Sequence, residues 1–266
     1  MLSFLKGYRQ MSTSRAQLEG ALVERMAEVQ NLSQRLLKVQ DEERRRLARN
    51  LHDTTGQTLV ALKIRAAFLE EECKQYPSAL RSVSDVVALA DQAIDEIRTM
   101  SYLLHPPLLD EVGFRCAAEW FVEGFAKRSG IDISFDFVTE HQRLPISIET
   151  ALFRILQESL TNVHRHSKAK QARVRYLHER ESAILEIRDF GCGIAAERLV
   201  GLREVNAEAG VGMAGMRERL NELNGRLELE SDSHGTTVRA IVPLPTTMPY
   251  LQARDCGQVS QCASAD

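Results

Sequence analysis

Asp41-Glu42-Glu43-Arg44-Arg45-Arg46-Leu47-Ala48-Arg49-Asn50-Leu51-His52-Asp53-Thr54-Thr55-Gly56-Gln57 is the stretch from which this chain is best understood. Leu47 and Leu51 lie four residues apart with Ala48, Arg49 and Asn50 between them, and Leu59 continues the line. This is one apolar stripe of a helix. Upstream of it, from Leu18, the apolar positions Leu22, Met26, Val29, Leu32, Leu36 and Val39 recur in steps of three and four, the seam of a short coiled coil. Downstream the pattern runs to about Cys73, where Tyr76-Pro77-Ser78 breaks it, because proline disfavours helix at the residue before it. A second helical run, about Ala79 to Leu104, ends at His105-Pro106-Pro107. Two long helices with a short connection make a hairpin. A hairpin with one apolar stripe needs a partner, and two of them build a dimeric four-helix bundle. Periodicity alone leaves a purely structural dimerisation bundle open.

The second half has another character. Ile131 to Val138, Ala172 to Leu177 and Ala183 to Asp189 alternate apolar and polar residues. Arg226 to Glu230 and Thr237 to Val242 read as further strands around a turn at Ser233-His234-Gly235, with helical runs at Ala117–Arg128, Ile146–His166 and Gly215–Leu223. The expected fold class is α+β: a helical hairpin followed by an α/β sandwich with helices on one face of a mixed sheet.

At 266 residues the chain can bury a sizeable core, and 44% hydrophobic with 27% charged residues is ordinary for a globular protein. A net charge of −3 provides no global basic field, so direct nucleic-acid binding is not expected. No run of apolar residues is long enough to span a membrane, and the start is too short in apolar residues for a secretory leader. Five scattered cysteines, an odd number, fit a reducing cytoplasm with free thiols.

A histidine on a helix serves structure more often than chemistry. Here Asp53 adjoins His52, and a carboxylate beside an imidazole can fix its tautomer and take its proton. Gln57 lies one helical turn beyond Asp53 and shares its face, placed to orient a water against a phosphoryl group. The segment resembles the phosphoacceptor box of the nitrate-sensor/degradative-enzyme subfamily of two-component histidine kinases: arginines, Leu-His-Asp, three residues, Gln. That resemblance implies that His52 accepts the phosphoryl group, Asp53 acts as base, and Gln57 aids dephosphorylation of a response regulator. Asn50 departs from the acidic residue that many members carry there, which implies a missing ion pair and a weaker kinase. Leu103-Leu104-His105-Pro106-Pro107-Leu108-Leu109-Asp110-Glu111 resembles the same subfamily's hinge.

In the mixed half, Glu158, Asn162 and His166 or Arg165 recur every four residues along one helix. Such a stripe is commonly just a solvated face. An asparagine amide oxygen nevertheless suits Mg2+, and Arg165 is placed to meet phosphate charge. Asp189-Phe190-Gly191-Cys192-Gly193 leaves a strand into two spaced glycines, a weak signal alone. Gly210-Val211-Gly212-Met213-Ala214-Gly215 reads as a glycine-rich turn opening a helix, a setting that favours phosphate. A dinucleotide fold is excluded, since no alternating βαβ series surrounds the glycines. The ordered set of Asn162, Asp189, the second glycine loop and Gly235-Thr236 resembles the ATP-binding domain shared by histidine kinases, gyrase-type topoisomerases, ninety-kilodalton heat-shock chaperones and mismatch-repair ATPases. By that resemblance Asn162 and Glu158 hold Mg2+, and Asp189 accepts from the adenine amino group. Gly191 and Gly193 shape the base pocket; Gly210, Gly212 and Gly215 line the triphosphate under a short lid, Ala195 to Ala209; Thr236 lies near the adenine or phosphate wall.

The expected domains are a signalling helix over 1–39, a dimerisation and phosphotransfer domain over 40–110, an ATP-binding domain over 111–245, and a disordered tail over 246–266. The expected function is an ATP- and Mg2+-dependent protein histidine kinase, cytoplasmic and homodimeric. It would serve a response regulator with a receiver domain and a helix-turn-helix output. Other ATPases of the same fold are disfavoured because they lack the Leu-His-Asp helix. A dimer scaffold, or mainly a phosphatase, is the remaining alternative.

Overall fold

A computed structural model describes residues 2–138, 143–179, 181–203 and 211–244. The chain divides into two compact units, Met1–Gln40 and Asp41–Asp266. The first is helical from Leu2 onward, and its Leu22, Met26, Val29, Leu32, Leu36 and Val39 are all exposed, an apolar seam uncovered among the described residues.

The helix that begins there, α1 (Leu2–Asn50), passes into wider π-type turns over Leu51–Gly56 and resumes as α2 (Gln57–Glu72). Helix α3 (Pro77–Leu104) returns beside it, with Pro77 in the first turn, where a missing N–H costs nothing, and Tyr76 extended before it. Lys63 pairs with Asp91 across the hairpin at 2.8 Å, and the Ser84 hydroxyl donates to Glu70 at 2.6 Å. These pairs fix an antiparallel arrangement. Val60, Ile64, Phe68, Val86 and Leu89 stay exposed along it.

Helix α4 (Pro107–Glu111) is a short turn after the two prolines, and α5 (Phe114–Ser129) follows. Helix α5 ends in textually plain fashion for its sequence: Lys127 and Arg128 in the last turn, then Gly130 in the left-handed conformation at φ 70°. Strands β1 (Asp132–Phe137), β2 (Gln171–His178) and β3 (Ser182–Asp189) come next, with α6 (Ile146–Asn162) and a second π-type segment, Val163–Ser167, between β1 and β2. Helices α7 (Ala196–Arg203) and α8 (Val211–Glu222) precede β4 (Arg226–Asp232) and β5 (Gly235–Pro243).

The five strands form one sheet in the order β1-β2-β3-β5-β4. β1 and β2 pair in parallel, which requires the crossover that α6 supplies, and the remaining neighbours are antiparallel. Ala172, Val174, Tyr176, Ala183, Leu185, Ile187, Ala240 and Val242 point into the core, where Phe121 of α5, Leu152, Phe153, Leu156 and Leu160 of α6 and Leu220 of α8 meet them. The other face is charged: Arg239 grips Glu186 at 2.8 Å and Glu228 at 3.1 Å. The expected sandwich, with helices on one face of a mixed sheet, is the observed one.

Within the expected lid, Ala196–Arg203 is helical and buries Leu199 and Leu202 against Leu229; residues 204–209 lie outside the described residues. An eight-residue stretch with four apolar positions is too short to show a period, and it gains its order from that contact. The glycine-rich turn is likewise already helix at Val211, so Gly212 and Gly215 stand inside α8, while Gly210 lies outside the described residues. The expected tail over 246–266 also falls outside them.

Candidate functional site

His52, Asp53 and Gln57 are all exposed, at the widened turns and the start of α2. The helix in which they were expected is therefore not uniform α. A π-type widening inserts an extra residue per turn and leaves backbone groups less regularly paired, a feature frequent at functional positions. The Thr58 hydroxyl donates to the Thr54 carbonyl at 2.8 Å, satisfying one carbonyl of the distorted segment. Gly56 packs loosely, with only the Leu51 carbonyl 3.5 Å from where a Cβ would stand. The His52 ring is thus open to solvent, with the Asp53 carboxylate next to it in sequence.

The second cluster lies where α6, the β3 end and the β4–β5 turn converge. Glu158 and Asn162 are half-buried, and the Asn162 amide nitrogen donates to Glu158 at 3.4 Å. That bond turns the amide oxygen the other way, available to a hard cation. Among the described residues no group of three or more His, Cys, Asp or Glu side chains could hold a metal. A Mg2+ here would therefore rest on few protein oxygens and complete its shell with water and phosphate, which is its usual habit. Helix α8 starts against this pair: a Cβ on Gly212 would stand 1.8 Å from the Glu158 carboxylate, whereas one on Gly215 would meet open space.

The expected four-residue stripe ends at Asn162. Beyond it Val163–Ser167 takes π-type turns, so Arg165 and His166, both exposed, are not spaced as on an α-helix. The Ser167 hydroxyl donates to the Val163 carbonyl at 2.7 Å, and Lys168 closes the segment at φ 56°.

Ser167 also anchors the glycine loop. Its carbonyl accepts the Cys192 N–H at 2.9 Å, and a Cβ on Gly191 would come within 2.2 Å of the same oxygen. Asp189, 4% exposed, accepts from the Gly191 N–H at 2.9 Å and from the Thr236 backbone and hydroxyl. Burial pushes its carboxyl up, against the opposing pull of those donors. Gly193 has φ 66° and faces the Asp232 carbonyl, and the Ser231 hydroxyl ties the walls together by receiving the Ile194 N–H at 2.8 Å and donating to the Gly235 carbonyl at 3.0 Å. Asp189, Gly191 and Gly193, together with Thr236 from far along the chain, are thereby one wall. Ser167 and Ser231 were missed; a lone serine beside a turn carries no signal of its own.

A pH dependence follows from Asp189. An acid with a raised pKa takes its proton at higher pH than a free aspartate, and only the ionised form is a pure acceptor. Nucleotide affinity is expected to be full near neutrality and to fall as pH drops, at a higher pH than a free aspartate would need. Stability moves the other way for this group, since protonation relieves the cost of a buried charge. Calorimetric titration of a non-hydrolysable ATP analogue checks this against Asp189→Asn, in which the difference should vanish; identical profiles would remove Asp189 from the base pocket.

Comparison with known proteins agrees with this layout. Residues 43–109 match the family described as "Histidine kinase", and residues 147–246 match "Histidine kinase-, DNA gyrase B-, and HSP90-like ATPase". The chain is 29% identical over 230 residues to the signal transduction histidine-protein kinase/phosphatase DegS of Brevibacillus brevis, covering 85% of this chain and 58% of that one. It is 32% identical over 220 residues to the sensor histidine kinase MctS of Rhizobium johnstonii, covering 82% and 47%. It thus spans about half the length of the curated relatives it matches. Among solved structures, the histidine kinase domain of the Erythrobacter litoralis EL346 blue-light activated kinase shares 16% identity at a TM-score of 0.45, covering 71% of this chain and 94% of that one. No helix among the described residues is long and apolar enough to cross a membrane. With a phosphoacceptor-type helical hairpin and a gyrase-like ATPase sandwich in that order on one chain, this protein belongs to the histidine kinases.

Proposed function

We propose that the chain is the kinase core of a two-component sensor, a cytoplasmic homodimer that moves the γ-phosphoryl group of Mg-ATP to His52 and on to a response regulator. The observation that carries this is an exposed His-Asp pair on a widened helical turn, joined to an ATPase sandwich whose buried Asp189 faces a glycine-lined wall. The exposed Val60, Ile64, Phe68, Val86 and Leu89 support a second hairpin as the cover; burying each of the larger ones stabilises the pair by about 1.5–3 kcal/mol.

In the first step Asp53 takes the imidazole proton and a ring nitrogen of His52 attacks the γ-phosphorus. The P–N bond forms as the bond to the bridging oxygen breaks, and ADP leaves. Asp189 accepts the adenine amino group, Gly191 and Gly193 keep the base wall close, and Thr236 borders it. Asn162, supported by Glu158, would hold Mg2+, which when bound would neutralise phosphate charge. Arg165 and His166 face the same phosphates, and Gly210, Gly212 and Gly215 serve the triphosphate side, Gly212 by letting α8 close on Glu158. Positioning and charge neutralisation account for most of such a transfer. In the second step an aspartate of a receiver domain, on a regulator with a helix-turn-helix output, takes the phosphoryl group from His52.

Gln57 orients a water against the acyl phosphate so formed, giving a phosphatase arm. Asn50, lacking the usual carboxylate, and the relative named as a kinase/phosphatase favour a substantial share for this arm. Gln57→Ala is expected to slow phosphate loss from the regulator on the order of tenfold while autophosphorylation changes little. Equal effects on both rates would remove the division of labour. The overall proposal is tested by labelling the chain with γ-labelled ATP and adding candidate receiver domains: the label should leave the kinase as one receiver gains it, and a label that stays put with every receiver contradicts a signalling role.

A further inference from the structure

Asp41 lies on α1, eleven residues before His52, and its carboxylate joins the two helices that flank the proposed phosphate site. Arg154 of α6 donates to one oxygen at 2.8 Å, and Arg219 of α8 donates to the other. The three side chains are 18%, 5% and 13% exposed, so the contact is largely out of water. Arg154 also donates to Gln157 at 2.7 Å, whose own amide donates to the Leu103 carbonyl of α3 at 3.0 Å. Desolvation draws the Arg154 guanidinium down to about 10, which still leaves it charged at neutral pH.

These contacts set a register. Helices α1 and α3 run antiparallel, and the Ser101 hydroxyl meets the Ala48 carbonyl at 3.0 Å. Leu103, two residues on, is then level with about Arg46, and Gln157 is held there, while Arg154 is held at Asp41. These contacts tie α6 to the hairpin between Asp41 and about Arg46, on the same helix as His52 and N-terminal to it.

We propose that Asp41 is a positioning residue for phosphoryl transfer: by gripping Arg154 and Arg219 it holds α6 and α8, the helices that carry Asn162 and Gly212, against the phosphoacceptor helix. This rests on the kinase function proposed above. Other contacts close the same junction. Tyr102 stacks on Trp120 at 3.8 Å, and Arg45 pairs with Asp110 at 2.9 Å, itself 3.2 Å from the buried His105. Loss of Asp41 therefore leaves the domain attached and its alignment imprecise. Misplacement of about 1 Å at such a site costs up to a hundredfold in rate.

The experiment measures acid-labile phosphate on His52 of the full chain at saturating Mg-ATP, with nucleotide affinity read separately from a fluorescent ATP analogue. Asp41→Ala is expected to lower the rate tenfold or more on the order-of-magnitude scale of such misplacements, with affinity unchanged. Asp41→Glu, which keeps the charge, is expected to recover most of it, and circular dichroism of both variants shows that they fold. A rate at or above the original chain's, or a parallel loss of nucleotide affinity, overturns the positioning role while the kinase function stands. An original chain that binds ATP and takes no phosphate overturns both.

Discussion

Replacing His52 with alanine is expected to remove acid-labile phosphate from the chain, a fall of at least about a thousandfold, because the nucleophile itself is gone. The imidazole is exposed and engages no side chain in the hairpin, so its loss should leave the fold and the helical content as they were. Nucleotide affinity should also persist, since Asp189, Gly191, Gly193 and Thr236 form their wall without any part of that helix. Retained labelling in His52→Ala, measured after acid and base treatment of the denatured chain, would place the acceptor elsewhere.

Gly193→Ala is expected to have the second largest effect, the loss of ATP binding with the hairpin intact. At φ 66° an alanine is strained, and its Cβ would be driven to 1.8 Å from the Asp232 carbonyl, a backbone atom that no rotamer change can move. The loop must shift, and the Asp189–Gly191 contact and the Ser231 ties shift with it. Overpacking of this kind costs about 1–3 kcal/mol before any strain is added. Equilibrium binding of a fluorescent nucleotide checks it. Affinity within about twofold of the original would mean that the loop can move without cost, and that the base wall lies elsewhere.

Much of this arrangement could be read in the residues. The helical period from Leu18 to Leu59 is strong because its apolar residues recur every three or four positions, and the two-residue period of Ala183 to Asp189 because that strand buries alternate side chains. Asp189 followed by two spaced glycines could be read because close approach of a backbone leaves no room for another residue. The π-type turns at Leu51 and Val163 could not be, as their apolar spacing is that of a helix and the extra residue is absorbed locally. Nor could the Asp41 contacts. Arg154 and Arg219 lie 113 and 178 residues from Asp41, and each of the three looks like one more charge on a solvated helix. Helix α7 hid for a different reason: its order comes from Leu229, which is far along the chain.

The most direct measurement is to incubate the intact chain with Mg-ATP, digest it under neutral conditions and map the phosphorylated residue by mass spectrometry. A single acid-labile phosphohistidine at His52 is the expected result. Phosphate on serine or threonine, or ATP hydrolysed with His52 unmodified, contradicts it.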